Sequence, residues 1–375
     1  MRVDIELPII HMKKRRIAIF FYQPRGKNTL SYQQGWPRAF KNSNYFDCLL
    51  VNLADITFVE EFSLASVLKN HRIEVVALLH SVFSNQQNLK RAAFLSLSIS
   101  RIPIVFFIGN EYKLMPEKMK FCRRLGIKLL ISQSNDPEIL GLYKAALNCS
   151  VESLPNTGFD PSIFTPGAQL ENRMIDIGYR AYEGPWYLGN EEKIEIADLF
   201  LKKKNKYGLV VDISMAPKKR FTENEYANFL NKCRGQIGTE SGGDYFELND
   251  SIRQRVNSHL ASKPNKSFTE IRALYFDHLP EMPKMRIISG RQVEAAACKT
   301  IQILYRGKYG GFFEADEHYI ALNKDHSNID EVVERFRDDA YCERITSNAY
   351  EVATYCFTYD KLLKKFSRML NQNLF

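Results

Sequence analysis

The first third of the chain contains five short, uninterrupted apolar runs, and this feature restricts the possible folds most strongly. The runs are bounded by polar segments and comprise RIAIFFY (16–22), FDCLLVNL (46–53), IEVVALLH (73–80), IPIVFFIG (102–109) and IKLLISQ (127–133). A strand that is buried on both faces of a parallel sheet is apolar throughout, whereas a half-exposed strand alternates. Helical stretches such as 84–100 and 116–126 separate the runs. This alternation predicts a Rossmann-like lobe with a parallel sheet.

A second series of strands and helices follows a stretch at 151–172 that is rich in Pro, Gly, Asn and Ser. Such a stretch indicates a linker. Beyond it, predicted strands within 173–180, 207–214, 236–241 and 300–305 alternate with helical segments, and the chain is helical from 329 onward. The sequence therefore predicts an α/β protein with two facing lobes. In open parallel sheets, ligands bind beyond the carboxyl ends of the strands, so we expect a binding cleft between the lobes.

Composition and charge agree with two folded domains. The 375 residues are 45% hydrophobic and 25% charged, and they contain no run of about 18 apolar residues. The basic cluster near the N-terminus follows a short apolar stretch, which is the wrong order for a secretory signal. Seven scattered cysteines without a CxxC pair predict reduced thiols, no zinc site and a cytoplasmic protein. The net charge of +9 favours anionic partners without selecting one, or it is simply a solvated surface.

The segment ISGRQVEAAACK (288–299) carries the strongest chemical signal. Ser289, Gly290 and Arg291 form a turn that enters a helix, where backbone N–H groups, the positive helix end and a guanidinium suit a diphosphate. Glu294 lies one turn further along the helix, from where a carboxylate can accept hydroxyls of a ribose. The alternative is an ordinary capped helix with an exposed glutamate.

Several segments after residue 150 occur in the order and spacing of one known family. They are LPNTGFDPSIFTPG (154–167), IDIGYRAY (175–182), the long stretch from Ser289 to Phe336, and ITSNAYEVATYCFTYDKLL (345–363). Together these segments resemble the linker and C-terminal lobe of bacterial group-one glycosyltransferases of the surface-polysaccharide type, which have the GT-B fold. The resemblance is clear over about 151–370 and weak over 1–150. It implies an acceptor-binding lobe over 1–155, a donor lobe over 156–345, and a C-terminal helical segment, 346–375, that packs back toward the first lobe.

The resemblance also implies roles for individual donor-lobe residues. Glu294 resembles the ribose-binding glutamate, and Arg180 resembles an arginine that faces the donor phosphates after Gly178. Glu240 follows a strand among small residues that let a ligand approach, and it is a candidate for both donor binding and catalysis. A plain glycine-rich turn is the alternative for Glu240.

Further cations come from the segment APKKRFT. Lys218, Lys219 and Arg220 follow a buried strand and are candidates for a second cationic contact with the donor, or they form a solvated basic loop. We find no convincing Asp-x-Asp pair near a strand end. We therefore expect no metal or other cofactor, with Arg, Lys and helix ends balancing the diphosphate charge.

The chain departs from the family pattern at a position that matters for chemistry. The common Glu-seven residues-Glu element requires a carboxylate at 286, where this chain has Arg286, and Lys299 replaces a usual glycine. Retaining or inverting stereochemistry therefore does not follow from the resemblance.

The acceptor lobe offers two candidates for a catalytic base. His80 ends a predicted strand, and Glu111 lies just past another. A direct displacement needs a base near the acceptor hydroxyl, which Asn110 could orient. A structural role is the alternative for both His80 and Glu111. Trp36 is expected in the core, and Tyr359 is expected to pack across the lobe boundary.

These observations predict a metal-independent glycosyltransferase that moves a sugar from a nucleotide-sugar to a glycan or lipid-linked acceptor. The alternatives are a sugar-nucleotide epimerase, a phage-type DNA glucosyltransferase and a non-catalytic two-lobed binding protein. No nucleic-acid module is recognised, so a nucleic-acid partner is not favoured.

The tail KLLKKFSRML (361–370) has basic and apolar residues at helical spacing. Such a helix can lie on anionic lipid at the inner membrane face. We favour the alternative, in which its apolar stripe packs on the N-terminal lobe.

Overall fold

The computed structural model describes residues 14–24, 26 and 31–375, and their strands form two parallel sheets. The first sheet contains β1 (Arg15–Phe21), β2 (Phe46–Asn52), β3 (Val75–Leu78), β4 (Ile104–Phe107), β5 (Leu129–Ser132) and β6 (Ser150–Ser153). All its pairings are parallel, in the order β2-β1-β3-β4-β5-β6. The five predicted runs are β1 to β5, and β3, β4 and β5 are buried along their whole length, as continuous apolar strands should be.

Helices cover both faces of this first sheet. They are α1 (Ser31–Lys41), α2 (Phe58–Asn70), α3 (Arg91–Ser100), α4 (Met115–Leu125) and α5 (Pro137–Ala146). Residues of α2, α3 and α4 share one core with one face of the sheet, and α1 packs on the other face. The start of α2 follows from its sequence, because Thr57 and Glu60 form a capping box that satisfies two free backbone N–H groups.

The second lobe repeats this plan around a five-stranded parallel sheet. Its strands are β7 (Ile175–Arg180), β8 (Val211–Ser214), β9 (Cys233–Gly238), β12 (Ile301–Tyr305) and β13 (Ile320–Leu322), in the order β13-β12-β9-β7-β8. Its helices are α6 (Glu192–Tyr207), α7 (Glu223–Lys232), α10 (Gly290–Ala297), α11 (Ile329–Arg337) and α12 (Asp339–Phe357). The predicted pair of Rossmann-like lobes is thus confirmed.

An insertion between β9 and α10 forms a small subdomain. It consists of β10 (Ser241–Gly242), α8 (Ser251–Ser262), α9 (Phe268–Tyr275) and β11 (Arg286–Ile287), with β10 and β11 antiparallel. It shares with the segment before α6 a separate apolar cluster that includes Tyr187, Tyr245 and Val256.

The chain crosses between the lobes twice. The predicted linker begins inside β6, and the second crossing lies at Thr358, the N-cap of α13 (Tyr359–Leu374). Helix α12 packs in the second lobe, and only α13 returns to the first, on the face that also carries α1.

The tail packs on the N-terminal lobe, so its apolar stripe is not available to lipid. Leu362, Leu363, Phe366, Met369 and Leu370 are all buried in the core of the first lobe. No helix in the described ranges is long and apolar enough to cross a bilayer.

Two aromatic predictions are confirmed at this junction. Trp36 is buried and its indole N–H donates to the Asn156 carbonyl at 2.7 Å. Tyr359 is buried beside Gly35, where a Cβ would lie 2.0 Å from the Tyr359 hydroxyl, so glycine is required for this contact.

Candidate functional site

A cavity of about 230 Å³ lies between the lobes, at the carboxyl ends of both sheets. The first lobe contributes the polar residues Ser31, Tyr32, Asn110, Tyr112, Gln133 and Asn156. The second lobe contributes loops that follow β7 and β8, part of the insertion, and the first turn of α10. This is the cleft that the two-lobed plan predicts.

The first turn of α10 places three of the predicted residues at the cavity wall. Ser289 is the N-cap, and its backbone N–H donates to the Gln292 side chain at 2.9 Å in a capping box. Gly290 lies tight against the linker, since a Cβ there would be 3.0 Å from the Thr157 hydroxyl. The turn is therefore preformed, and the positive end of the α10 dipole lies at the cavity.

Arg291 directs an unsatisfied guanidinium at this cavity. Its Nε and one terminal nitrogen are buried and have no hydrogen-bond partner in the described ranges. Its guanidinium carbon lies 5.9 Å from the centroid of the Tyr179 ring. Because a buried donor without a partner is costly, this arrangement is suited to an anionic ligand.

Lys193 is a site residue that sequence analysis missed. It lies in the first turn of α6 and lines the same cavity. Burial, assisted by the charges of Arg291 and Arg286, lowers the pKa of Lys193 to about 7. A lysine in the first turn of a helix opposes the helix dipole, and this was the available signal. Lys193 and the unsatisfied guanidinium of Arg291 thus line one cavity.

Glu294 lines the cavity one turn into α10. It is buried, and burial raises the pKa of its carboxyl to about 8. The Ser31 hydroxyl of the opposite lobe donates a hydrogen bond to it. Glu294 therefore connects the two lobes directly at the cavity.

Arg180 also lines the cavity, and its two terminal nitrogens are already paired, although its Nε is buried without a hydrogen-bond partner in the described ranges. It donates to the Asp212 carboxylate and the Asp212 carbonyl, both at 2.8 Å, and lies over the rings of Phe221 and Phe229. Gly178 does not face the cavity, contrary to the prediction that the Gly-Arg pair faces phosphates. A Cβ at Gly178 would lie 2.3 Å from the Cys233 sulfur, so glycine serves packing within the lobe.

The predicted basic loop lies at the cavity edge. Lys219 and Arg220 line the cavity and are exposed, and neither forms an ion pair within the described ranges. Lys218 is exposed outside the lining. Lys219 and Arg220 therefore add positive potential at the entrance.

The three predicted catalytic residues do not line the cavity. Glu111 is buried within the first lobe, where its carboxylate accepts hydrogen bonds of 2.7 Å from Ser132, from Tyr143 and from the Gln133 backbone. Burial raises the pKa of Glu111, and its carboxylate has no free direction toward an acceptor. We correct the prediction of a base at this position, because the side chain turns into the lobe.

His80 and Glu240 also point away from the cavity. His80 is enclosed by the rings of Tyr32, Trp36 and Phe107, and burial lowers its pKa to about 3. Glu240 accepts a hydrogen bond of 2.7 Å from the Tyr309 backbone, so it holds a neighbouring loop. Neither residue lines the cavity.

Lys118 is a second residue that sequence analysis missed. It is fully buried, and its ammonium donates to the carbonyls of Gly109, Asn110 and Lys113 at 2.6, 2.8 and 2.7 Å. These bonds hold the loop that presents Asn110 and Tyr112 to the cavity. Nothing in the pattern around Lys118 distinguishes it from a surface lysine.

Arg286, at the position where the family has a carboxylate, is part of a buried ion-pair network. Its guanidinium makes two bonds of 3.0 Å to Glu192 and two bonds, of 2.9 and 2.5 Å, to Asp244. Lys324 also donates to Glu192, at 2.7 Å. Arg286 therefore anchors the insertion to α6 rather than lining the cavity.

Within the described ranges, no three His, Cys, Asp or Glu side chains converge in a way that would hold a metal ion.

Comparisons with known proteins were made on sequence and on structure. No protein-family model matches the chain, and no curated protein matches it. A glycosyltransferase from Rickettsia africae ESF-5 superposes with a TM-score of 0.54 at 12% identity, covering 97% of this chain and 99% of that one. Sucrose-phosphate synthase from Thermosynechococcus elongatus gives 0.52 at 10% identity, covering 96% and 99%. Anabaena HepE, in complex with UDP-glucose, gives 0.51 at 12% identity, covering 95% and 99%.

These identities are too low to carry an activity from one protein to another, but the similarity spans both lobes. The chain has the GT-B fold, with two facing Rossmann-like lobes.

Proposed function

We propose that this protein is a glycosyltransferase that transfers a sugar from a nucleoside-diphosphate sugar without a metal ion. The acceptor is a glycan or a lipid-linked glycan in the synthesis of a surface polysaccharide, and the protein works at the inner membrane face. The three structural neighbours named above support a nucleotide-sugar enzyme, because one is named a glycosyltransferase, one is named a sucrose-phosphate synthase, and the third is in complex with UDP-glucose.

One observation carries the donor part of the proposal, namely the unpartnered Arg291 beside Lys193. Both cations line the cavity, and their charges repel each other strongly enough to contribute to the low pKa of Lys193. A diphosphate between them would satisfy both and would lie at the positive end of α10. The resulting stabilisation of the leaving diphosphate needs no metal ion.

Glu294 then serves the nucleoside part of the donor. It lies one helical turn beyond Arg291, which suits a ribose attached to the diphosphate. Its bond from Ser31 occupies one carboxylate oxygen, and a ribose hydroxyl can replace that bond.

Calorimetric titration with a nucleoside, its monophosphate, its diphosphate and the matching nucleotide sugars tests the donor site. The diphosphate should bind at least about tenfold more tightly than the nucleoside, corresponding to about 1.4 kcal/mol of charge-assisted contacts. Arg291→Ala should remove most of this difference and leave nucleoside binding unchanged. Arg255→Ala, on the exposed side of α8, is the matched control and should change neither. Equal diphosphate affinity in Arg291→Ala would contradict the donor site.

A further inference from the structure

Two neighbouring helices of the first lobe expose large apolar side chains. Phe58, Val59 and Phe62 in α2 and Leu95 and Ile99 in α3 are between 47% and 75% exposed. We call these five residues the α2–α3 apolar face. Singly exposed apolar residues are normal on proteins, but a contiguous group marks an interaction site.

The five side chains form one surface because the helices lie side by side. The Ser96 hydroxyl of α3 accepts from the Ala65 backbone at 2.8 Å and donates to the Phe62 carbonyl at 3.3 Å. These bonds hold α3 directly against α2, and the rings of Phe58 and Phe62 are in edge contact at 4.8 Å. No described helix or loop covers these five side chains, since each is at least 47% exposed to solvent.

Cations border this surface at the helix ends. Arg91 and Arg101 flank α3, and Lys69 and Arg72 lie at the end of α2. All four are exposed, and none forms an ion pair with any residue that the structure describes. Of the acidic neighbours, Glu61 is buried and paired with Lys90 at 3.0 Å, whereas Glu60 is exposed and its carboxylate is held by Thr57 in the capping box. The apolar centre therefore has four unpaired cations at the helix ends and an exposed carboxylate beside it.

We infer that the α2–α3 apolar face docks on an anionic lipid bilayer. Phenylalanine and aliphatic side chains would enter the boundary between headgroups and acyl chains, while the arginines and lysines would pair with anionic headgroups. The inference rests on the proposed membrane location but not on the donor chemistry. It also moves the membrane contact from α13 to the opposite face of the first sheet, where α2 and α3 pack.

The charge pattern favours a bilayer over a second copy of the chain. A twofold interface brings the same patch of each copy together, so the unpaired cations would oppose one another. A bilayer with anionic lipid offers the complementary charge. Both helices also begin at the carboxyl edge of the sheet, where the cavity opens, so docking here would hold the cavity mouth near lipid-linked acceptors.

Flotation with vesicles of phosphatidylcholine, with and without phosphatidylglycerol, tests the inference on the full-length protein. At about 50 mM salt the wild type should float with the anionic vesicles, and the bound fraction should fall at high salt. The double variant Phe62→Ser with Ile99→Ser should lower the bound fraction about fivefold or more, since both side chains would contribute apolar area that the bilayer buries. Val210→Ser with Leu274→Ser removes equally exposed apolar residues from the second lobe and should float like the wild type.

Two charge-reversal variants complete the design. Arg91→Glu should lower flotation on anionic vesicles several-fold, whereas Lys202→Glu, at an exposed position of α6, should not. Nucleoside diphosphate binding should be unchanged in every variant, which separates this inference from the donor site. Absence of wild-type flotation, or equal flotation of the Phe62 and Ile99 variant, would overturn the inference. A dimer in solution that dissociates in this variant while nothing floats would identify the face as a self-association surface instead.

Discussion

Glu294 occupies an environment that differs sharply from that of a surface carboxylate. Burial raises the pKa of its carboxyl to about 8, because burial disfavours the charged form. The Ser31 hydroxyl is its only described hydrogen-bond donor. Ligand hydroxyls that donate to the Glu294 carboxylate would favour its ionised form, as the nearby charge of Arg291 already does.

Glu294→Ala should weaken binding of a nucleoside diphosphate by about 1–3 kcal/mol, because hydrogen bonds to the ribose are lost. Isothermal titration measures the difference. Glu240→Ala is the matched control, since Glu240 also follows the end of a strand but holds the Tyr309 backbone outside the cavity. Unchanged affinity in Glu294→Ala would remove Glu294 from the donor site, and weakened affinity in Glu240→Ala would restore Glu240 to it.

His80 should make the protein sensitive to acid. Burial among aromatic rings lowers its pKa from 6.5 to about 3, so the folded protein excludes a proton that the unfolded chain binds. The contribution of His80 to the free energy of unfolding is complete above pH 6.5 and is lost as the pH falls toward 3. The free energy of unfolding falls by up to about 1.4 kcal/mol per pH unit in this range. Urea unfolding of His80→Phe should show a shallower loss of stability in this range. His278→Phe, at an exposed position, should keep the wild-type slope.

Helix α13 illustrates how a sequence pattern with two meanings is resolved by packing. Its basic and apolar residues suit a membrane surface as well as a lobe surface. In the structure the apolar stripe fills the face of the first sheet beside α1, and the rings of Phe366 and Phe107 lie 4.9 Å apart. The helix is thus part of the first lobe's core.

Phe366→Ala should destabilise the protein by about 3–5 kcal/mol, because it removes a fully buried ring from a close-packed core. Chemical denaturation measures the change in unfolding free energy. Lys361→Ala, at an exposed position of the same helix, should change it by less than about 0.5 kcal/mol. A small effect at Phe366 would mean that α13 is not docked in solution.

The two lobes are joined by polar contacts as well as by the linker. Arg38 of α1 makes two bonds of 3.0 Å to Glu223 of α7 and one of 3.1 Å to Asp160. The Asn135 side chain donates to the Gly310 carbonyl at 2.8 Å. Of these residues Glu223 also lines the cavity, so the shape of the cavity depends on how the lobes face each other.

Chelation should not affect the proposed reaction at the donor site. Slow hydrolysis of a nucleotide sugar, measured without an acceptor, should have the same rate in EDTA as in Mn²⁺, because arginine, lysine and a helix end replace the metal at the diphosphate. Nucleoside diphosphate affinity in EDTA is the matched binding measurement. Loss of hydrolysis in EDTA, restored by Mn²⁺, would contradict the donor-site model.

Much of the architecture was predictable because it depends on local pattern. The apolar runs defined β1 to β5, since only strands buried on both faces of a sheet are apolar throughout. The turn before α10 was predictable because Ser289 caps the helix and Gly290 admits close approach. Less distinct elements, such as β6 inside the expected linker, were missed because a short half-buried strand has little apolar signal.

The direction of individual side chains depended on the tertiary structure. Sequence alone determined two parallel-sheet lobes and placed His80, Glu111 and Glu240 near strand ends. Only the fold decided that the Glu111 carboxylate accepts hydrogen bonds from Ser132 and Tyr143. The fold also decided that Lys193 and Arg291, nearly one hundred residues apart in sequence, line one cavity and repel each other. The physical reason is that periodicity specifies which residues are buried or lie at an edge, whereas hydrogen-bond partners and repelling charges come from segments distant in sequence.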